Sequence, residues 1–129
     1  MWLKYALNKI KVDHMFGDIL DMEGAELVGF KFHDGSSVYF SFLIVGVPDK
    51  CPEKWKGHGY NAMSVTLNFG GVKEFRSNLT RVNFCCVPII NSSPDGASIS
   101  IEAPDASIFC ESEYVSIDGV TPYIDIRWD

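Results

Sequence analysis

Little in these 129 residues suits covalent chemistry. There are only four cysteines and three histidines. His14, His33 and His58 stand far apart, and no Cys-x2-Cys or His-x3-His pair offers the spacing on which a zinc site is normally built. Cys51, Cys85, Cys86 and Cys110 are too few to staple a chain of this length, so free thiols are expected. Cys85 and Cys86 are adjacent, and on a strand adjacent side chains point to opposite faces, which keeps them from sharing one metal ion. A Gly-x-Ser-x-Gly elbow, a phosphate-cradling glycine loop and a dinucleotide fingerprint are all missing. No enzymatic activity, metal or cofactor is expected.

Long apolar runs are missing too. None approaches the roughly 18 residues that cross a bilayer, and the opening Met1-Trp2-Leu3-Lys4-Tyr5 lacks a basic region followed by an uninterrupted apolar core. A membrane role is not expected, and the expected compartment is the cytoplasm. Positive charge is also scarce. The net charge is −6, and phosphate binding needs a surplus of lysine and arginine, so a nucleic-acid partner is not expected either. The deficit is uneven: residues 95–129 hold eight acidic side chains against Arg127 alone, a balance of −7, whereas residues 1–94 hold nine acids and ten bases.

What is present is an alternating pattern. A chain of this length forms one domain, here 1–129, and can bury roughly two thirds of its unfolded surface. Leu3, Ala6, Leu7 and Ile10 recur at helical spacing, with Gly17 placed to end a short N-terminal helix. After Gly24 the period becomes two. Val28, Phe30 and Phe32 alternate with Leu27, Lys31 and His33 up to the Asp34-Gly35-Ser36 turn, and Val38, Phe40, Phe42 and Ile44, alternating with Tyr39, Ser41, Leu43 and Val45, return as a strand largely buried on both sides. A loop with Pro48 and Pro52 follows, since proline cannot supply the amide hydrogen of a central strand. Met63, Val65, Leu67 and Phe69 form a third strand, which Gly70-Gly71 should stop. Val72 to Phe75, Val82 to Cys86, Ala97 to Ile101 and Ile108 to Glu113 are further short strands. Val115 with Ile117 and Ile124 to Trp128 should make a last pair around an Asp118-Gly119 turn. The expected class is α+β, mostly β: an antiparallel meander with the short N-terminal helix packed on one face.

Two features of this pattern bear on function. Glu111 and Glu113 fall on one strand face, and with Glu102 and Asp118 they form an acidic C-terminal third. Such residues either keep exposed strands soluble and unpaired or generate a negative field that steers a basic partner into place. Nothing near them suggests the buried cleft that an acid–base carboxylate pair requires. Trp55, after the prolines, either plugs the end of the sheet or anchors a contact.

The order of features adds to this reading: Trp2, Phe16-Gly17-Asp18, Leu20, Gly24-x-Glu26-Leu27, then the Pro48-to-Trp55 loop, Asn61 and the strand Val65 to Val72. Together they resemble the Immunity protein 50 family of bacterial proteins associated with polymorphic toxin systems. The resemblance implies a cytoplasmic antidote that binds and neutralises a cognate toxin domain. Nucleases are natural basic partners for an acidic surface, and Glu102, Glu111, Glu113, Asp118 and Trp55 are the candidate contact residues. The alternative is a small-molecule-binding or scaffolding β domain, with the sheet and its phenylalanines enclosing an apolar pocket.

Overall fold

A computed structural model of the chain describes residues 2–7, 22–33, 35–47 and 53–126. The alternating segments form seven strands: β1 (Ala25–His33), β2 (Ser37–Val45), β3 (Ala62–Leu79), β4 (Phe84–Cys86), β5 (Ile89–Ser93), β6 (Gly96–Ala103) and β7 (Ala106–Tyr123). They build one antiparallel sheet in the order β4-β1-β2-β3-β7-β6-β5. β2 lies inside the sheet, third of the seven strands, but it is buried on one face and not on both: Val38, Phe40 and Phe42 are fully buried, whereas Tyr39, Ser41, Leu43 and Ile44 are half-buried and Val45 is exposed. A simple meander accounts for β1-β2-β3 and for β5-β6-β7. The two runs are joined by pairing between β3 and β7, which are distant in sequence, and β4 adds outside β1.

The expected N-terminal helix is not found among the described residues. The described residues hold no α-helix, and Trp2–Tyr5 and Glu53–Trp55 are single turns of 3-10 helix. Leu7 is already committed to the sheet: its N–H donates to Val115 O at 2.9 Å and its carbonyl accepts from Ile117 N at 3.0 Å, forming a parallel bridge beside Ser116. A free edge of β7 thus competes for the backbone groups a helix would use internally, and it wins at residue 7. Ile10 and Gly17 lie outside the described residues, as do Pro48 and Pro52.

Gly70-Gly71 does not stop β3, which runs on to Leu79. The two glycines instead make room for the opposite strand. A Cβ on Gly70 would stand 2.1 Å from the Tyr114 ring, and one on Gly71 would stand 2.7 Å from the Glu113 side chain, so both side chains lie across bare backbone. Gly71 also has φ +66°. Lys73 is then left over between the pairs Val72↔Ser112 and Glu74↔Glu111, a bulge that sharpens the bend. Asp118-Gly119 is likewise no turn. Thr66 pairs with Gly119 and Leu67 with Ile117, so Asp118 is a bulge inside a continuous β7. The strand expected over Ile124 to Trp128 is absent over its described part. After Tyr123 the chain is held by the Asn61 side chain, which accepts from Asp125 N at 2.7 Å and donates to Asp125 O at 2.9 Å.

The sheet is strongly curled. β4 and β5 form its two edges, yet only Val87 and Pro88 separate them in sequence. Cys86 and Ile89 can be at most about 11 Å apart, whereas six flat strand spacings would put the edges about 29 Å apart. Ring contacts agree: Phe75, beyond the bend in β3, packs on Phe30 and Phe32 of β1 at centroid distances of 5.6 and 4.9 Å, across the intervening β2. The inner faces of all seven strands meet in one apolar cluster that includes Leu27, Phe40, Phe69, Cys86, Ile90, Ile99 and Ile108. Each large side chain buried there contributes about 1.5–3 kcal/mol. Phe40, Phe42 and Phe69 are fully buried in it and Phe30, Phe75 and Phe84 pack against it, so these rings fill the core rather than line a pocket.

Two of the thiols are core residues. Cys110 and Cys86 are buried, and Cys85 is exposed. Burial pushes the Cys110 thiol up to about 11. Burial, and then the neighbouring Cys85, push Cys86 up to about 11.

Gly71→Val should lower stability by about 2 kcal/mol through the positive φ and the lost room for Glu113, and Gly71→Asn by less than half of that, as read from urea midpoints at constant slope. Alkylation followed by peptide mapping should label Cys85 in the native protein, and Cys86 and Cys110 only after unfolding. Both buried thiols hold their protons more tightly when folded than at their ordinary value of 9.0. Their contribution to stability is therefore complete below about pH 9 and is lost as the pH rises towards 11. Denaturation midpoints at pH 8 and pH 10.5 check this.

Candidate partner-binding face

Beyond the bend, the second half of β3 pairs with the first half of β7, and β6 and β5 follow outward. Ile108, Cys110, Ile99, Ile101 and Ile90 point into the core. Period-two alternation then sends their neighbours outward. Strand register arranges those neighbours in rows. One row runs Asn91, Ser98, Glu111, Glu74; the next Ile89, Ser100, Phe109, Arg76; the third Glu102, Ser107, Asn78. This exterior is therefore a patterned face, with Ser98 and Ser100 of β6 lying between the taller Asn91 and Ile89 of β5 and Glu111 and Phe109 of β7.

Its charges are unequally compensated. Arg76 lies over the Phe109 ring at 4.8 Å and forms an ion pair with Glu74 at 2.6 Å, so one carboxylate and one guanidinium are held in place on an aromatic support. Glu102 accepts a hydrogen bond from Ser107 Oγ at 3.0 Å. Glu111 has no ion-pair partner among the described residues, nor has Asp95 in the β5–β6 turn. All of these acids are exposed, and a negative face on a solvated sheet is felt over about a Debye length, some 8–10 Å in physiological salt.

Register brings three of the expected contact residues together and leaves two apart. Glu102 and Glu111 share the face, and Glu113 borders it where its side chain crosses Gly71. Asp118 lies five residues further along β7, roughly 17 Å from Glu113 at strand rise, on the other half of the sheet. There its Oδ1 accepts from Ser116 Oγ at 3.4 Å. Trp55 is 8% exposed and packs with Met63, Ile44, Val47, Tyr60 and Val120 in a second apolar cluster. Its ring occupies the end of the sheet.

Sequence reasoning passed over Glu74, Arg76, Asn91 and Ile89, which is 60% exposed. The outward alternation of Phe109 and Glu111 was visible in the sequence. Their neighbours on β3 were not, because the pairing spans 33 to 37 residues of chain. Among the described residues, no three His, Cys, Asp or Glu side chains gather as a metal site would require. No helix there is long and apolar enough to cross a membrane.

A face of this kind, with charge and shape but no converging reactive groups, suits the recognition of a macromolecule. No curated protein and no solved structure matches the chain. The family model for Immunity protein 50 matches residues 8–123, a span that takes in all seven strands and the whole of this face. The chain therefore belongs to the Immunity protein 50 family.

Proposed function

We propose that this chain is a cytoplasmic immunity protein that binds a cognate toxin domain and neutralises it by occupying its surface, without catalysis. Family membership carries the reading. The exterior of β5, β6, β7 and the second half of β3 supports it as the contact surface. Glu102, Glu111 and Glu113 supply the negative field, Ile89 and Phe109 supply apolar contact, and Arg76 marks the orientation of the partner. The toxin surface complementary to this face is basic, as a nuclease's substrate-binding surface is. Covering that surface blocks the toxin whatever bond it cleaves, because inhibition needs complementarity to the target and not the target's chemistry.

Co-expression with the toxin domain encoded beside this gene should restore growth to cells that the toxin domain alone kills. Equal killing with and without the chain overturns the reading. Charge reversal by Glu102→Lys together with Glu111→Lys should slow association about tenfold at low salt and flatten its dependence on ionic strength, while the fold is retained. Stopped-flow binding at two salt concentrations provides the measurement.

A further inference from the structure

A depression of about 270 Å³ opens at one end of this face. Its floor is made by Gly96, Ala97 and Ser98, and its walls include Asn91 and Asp95 on one side and Glu111 and Lys73 on the other. The floor is low because strand chemistry makes it so. A Cβ on Gly96 would stand only 3.0 Å from the Ser112 carbonyl, and Ser98 is the shortest outward side chain in its row. Asp95 N–H donates to Ser93 Oγ at 3.1 Å, which ties the turn carrying that carboxylate to β5.

The walls are unequal in charge. Asp95 and Glu111 are both without an ion-pair partner among the described residues, and Lys73 at the rim is paired with neither. Of the other acids on the face, Glu74 is answered by Arg76 and Glu102 by the Ser107 hydroxyl. Two uncompensated carboxylates therefore flank a cavity that is floored by backbone and hydroxyl groups and bordered by an amide. That is a set of acceptors arranged around a space, and its complement is a planar cation with several donors. A guanidinium carries five N–H groups in a fixed fork and can donate to more than one acceptor at once, whereas an ammonium acts as a point charge.

We infer that this depression is a socket for an arginine side chain of the toxin domain. The inference rests on the immunity reading and names the anchor of that contact. The arginine inserts over Ser98, pairs with Glu111 and Asp95, and displaces water from the depression, while Glu102 and Glu113 act at longer range on the rate of encounter.

The test uses the full chain and the toxin domain encoded beside its gene. Ser98→Tyr fills the floor from an outward strand position, and Glu111→Gln removes one wall charge without changing shape. Thermal melting checks that both variants fold. Each should weaken binding about 30-fold, mainly by faster dissociation, while Thr121→Tyr, which adds similar bulk on the other half of β7, should leave affinity unchanged. Separately, titrating the 15N-labelled chain with N-acetyl-arginine amide should produce saturable shifts at the amides of Asn91, Ser98 and Glu111. The neutral citrulline analogue should not, and the lysine analogue should saturate only at higher concentration. Wild-type affinity in either Ser98→Tyr or Glu111→Gln overturns the socket, as do absent shifts or equal shifts with citrulline. If the toxin domain fails to bind the unaltered chain, the immunity reading falls, and the titration alone then decides whether the depression takes a guanidinium.

Discussion

β3 and β7 pair along nearly their whole length, from Ala62↔Tyr123 to Leu79↔Ala106, and every other strand hangs on one of them. β4, β1 and β2 extend the sheet from the first half of β3, and β6 and β5 extend it from the first half of β7. Each long strand therefore serves two parts of the sheet. The bend at Gly70-Gly71, sharpened by the Lys73 bulge, turns one part over the other so that a single apolar cluster fills the space between them. Without that bend, Phe75 could not reach Phe30, and the two-residue link from β4 to β5 could not span the edges.

The same constraint creates the proposed contact surface. Folding the sheet over commits one side of each strand to the core and leaves the other in water, so the sequence between Ile89 and Glu113 presents alternate residues outward in register. Antiparallel pairing then places Glu111 beside Glu74, and Phe109 beside Arg76, although these residues are more than thirty positions apart. A flat acidic sheet exterior would risk pairing with other sheets through its edges. Here the edge strands are short, with β4 three residues and β5 five, which limits the backbone available for unwanted strand addition.

Most of the proposed contact groups sit on strands, with Asp95 on the tight β5–β6 turn, so the entropy lost on docking would be mostly that of side chains. Several of those are already restrained: Arg76 by Phe109 and Glu74, and Glu102 by Ser107. A pre-organised, negatively charged face favours rapid and specific capture of a basic partner, as the proposed neutralisation of a toxin would require.

Local alternation in the sequence determined most of the strands, the β1–β2 turn and the inward residues of β2, β3, β6 and β7, because period-two patterning is written residue by residue, whereas β1, with a bulge between Leu27 and Gly29, buries Leu27 and leaves Phe32 exposed. The acidic bias of the last 35 residues was equally plain. Other features depended on contacts between distant segments. Gly70-Gly71 reads as a stop until Tyr114 and Glu113 are found lying across it, and Asp118-Gly119 reads as a turn until β3 is found to pair on both sides of it. The helical spacing of Leu3, Ala6 and Leu7 was overruled by hydrogen bonds to β7 that no local pattern encodes. The tertiary structure also decided which acids stand together, by setting the β3–β7 register, and it placed Trp55 in the interior. Propensity acts over a few residues, whereas a site is assembled by pairings that span dozens, and their register is fixed only when both strands bury their apolar faces in the same core.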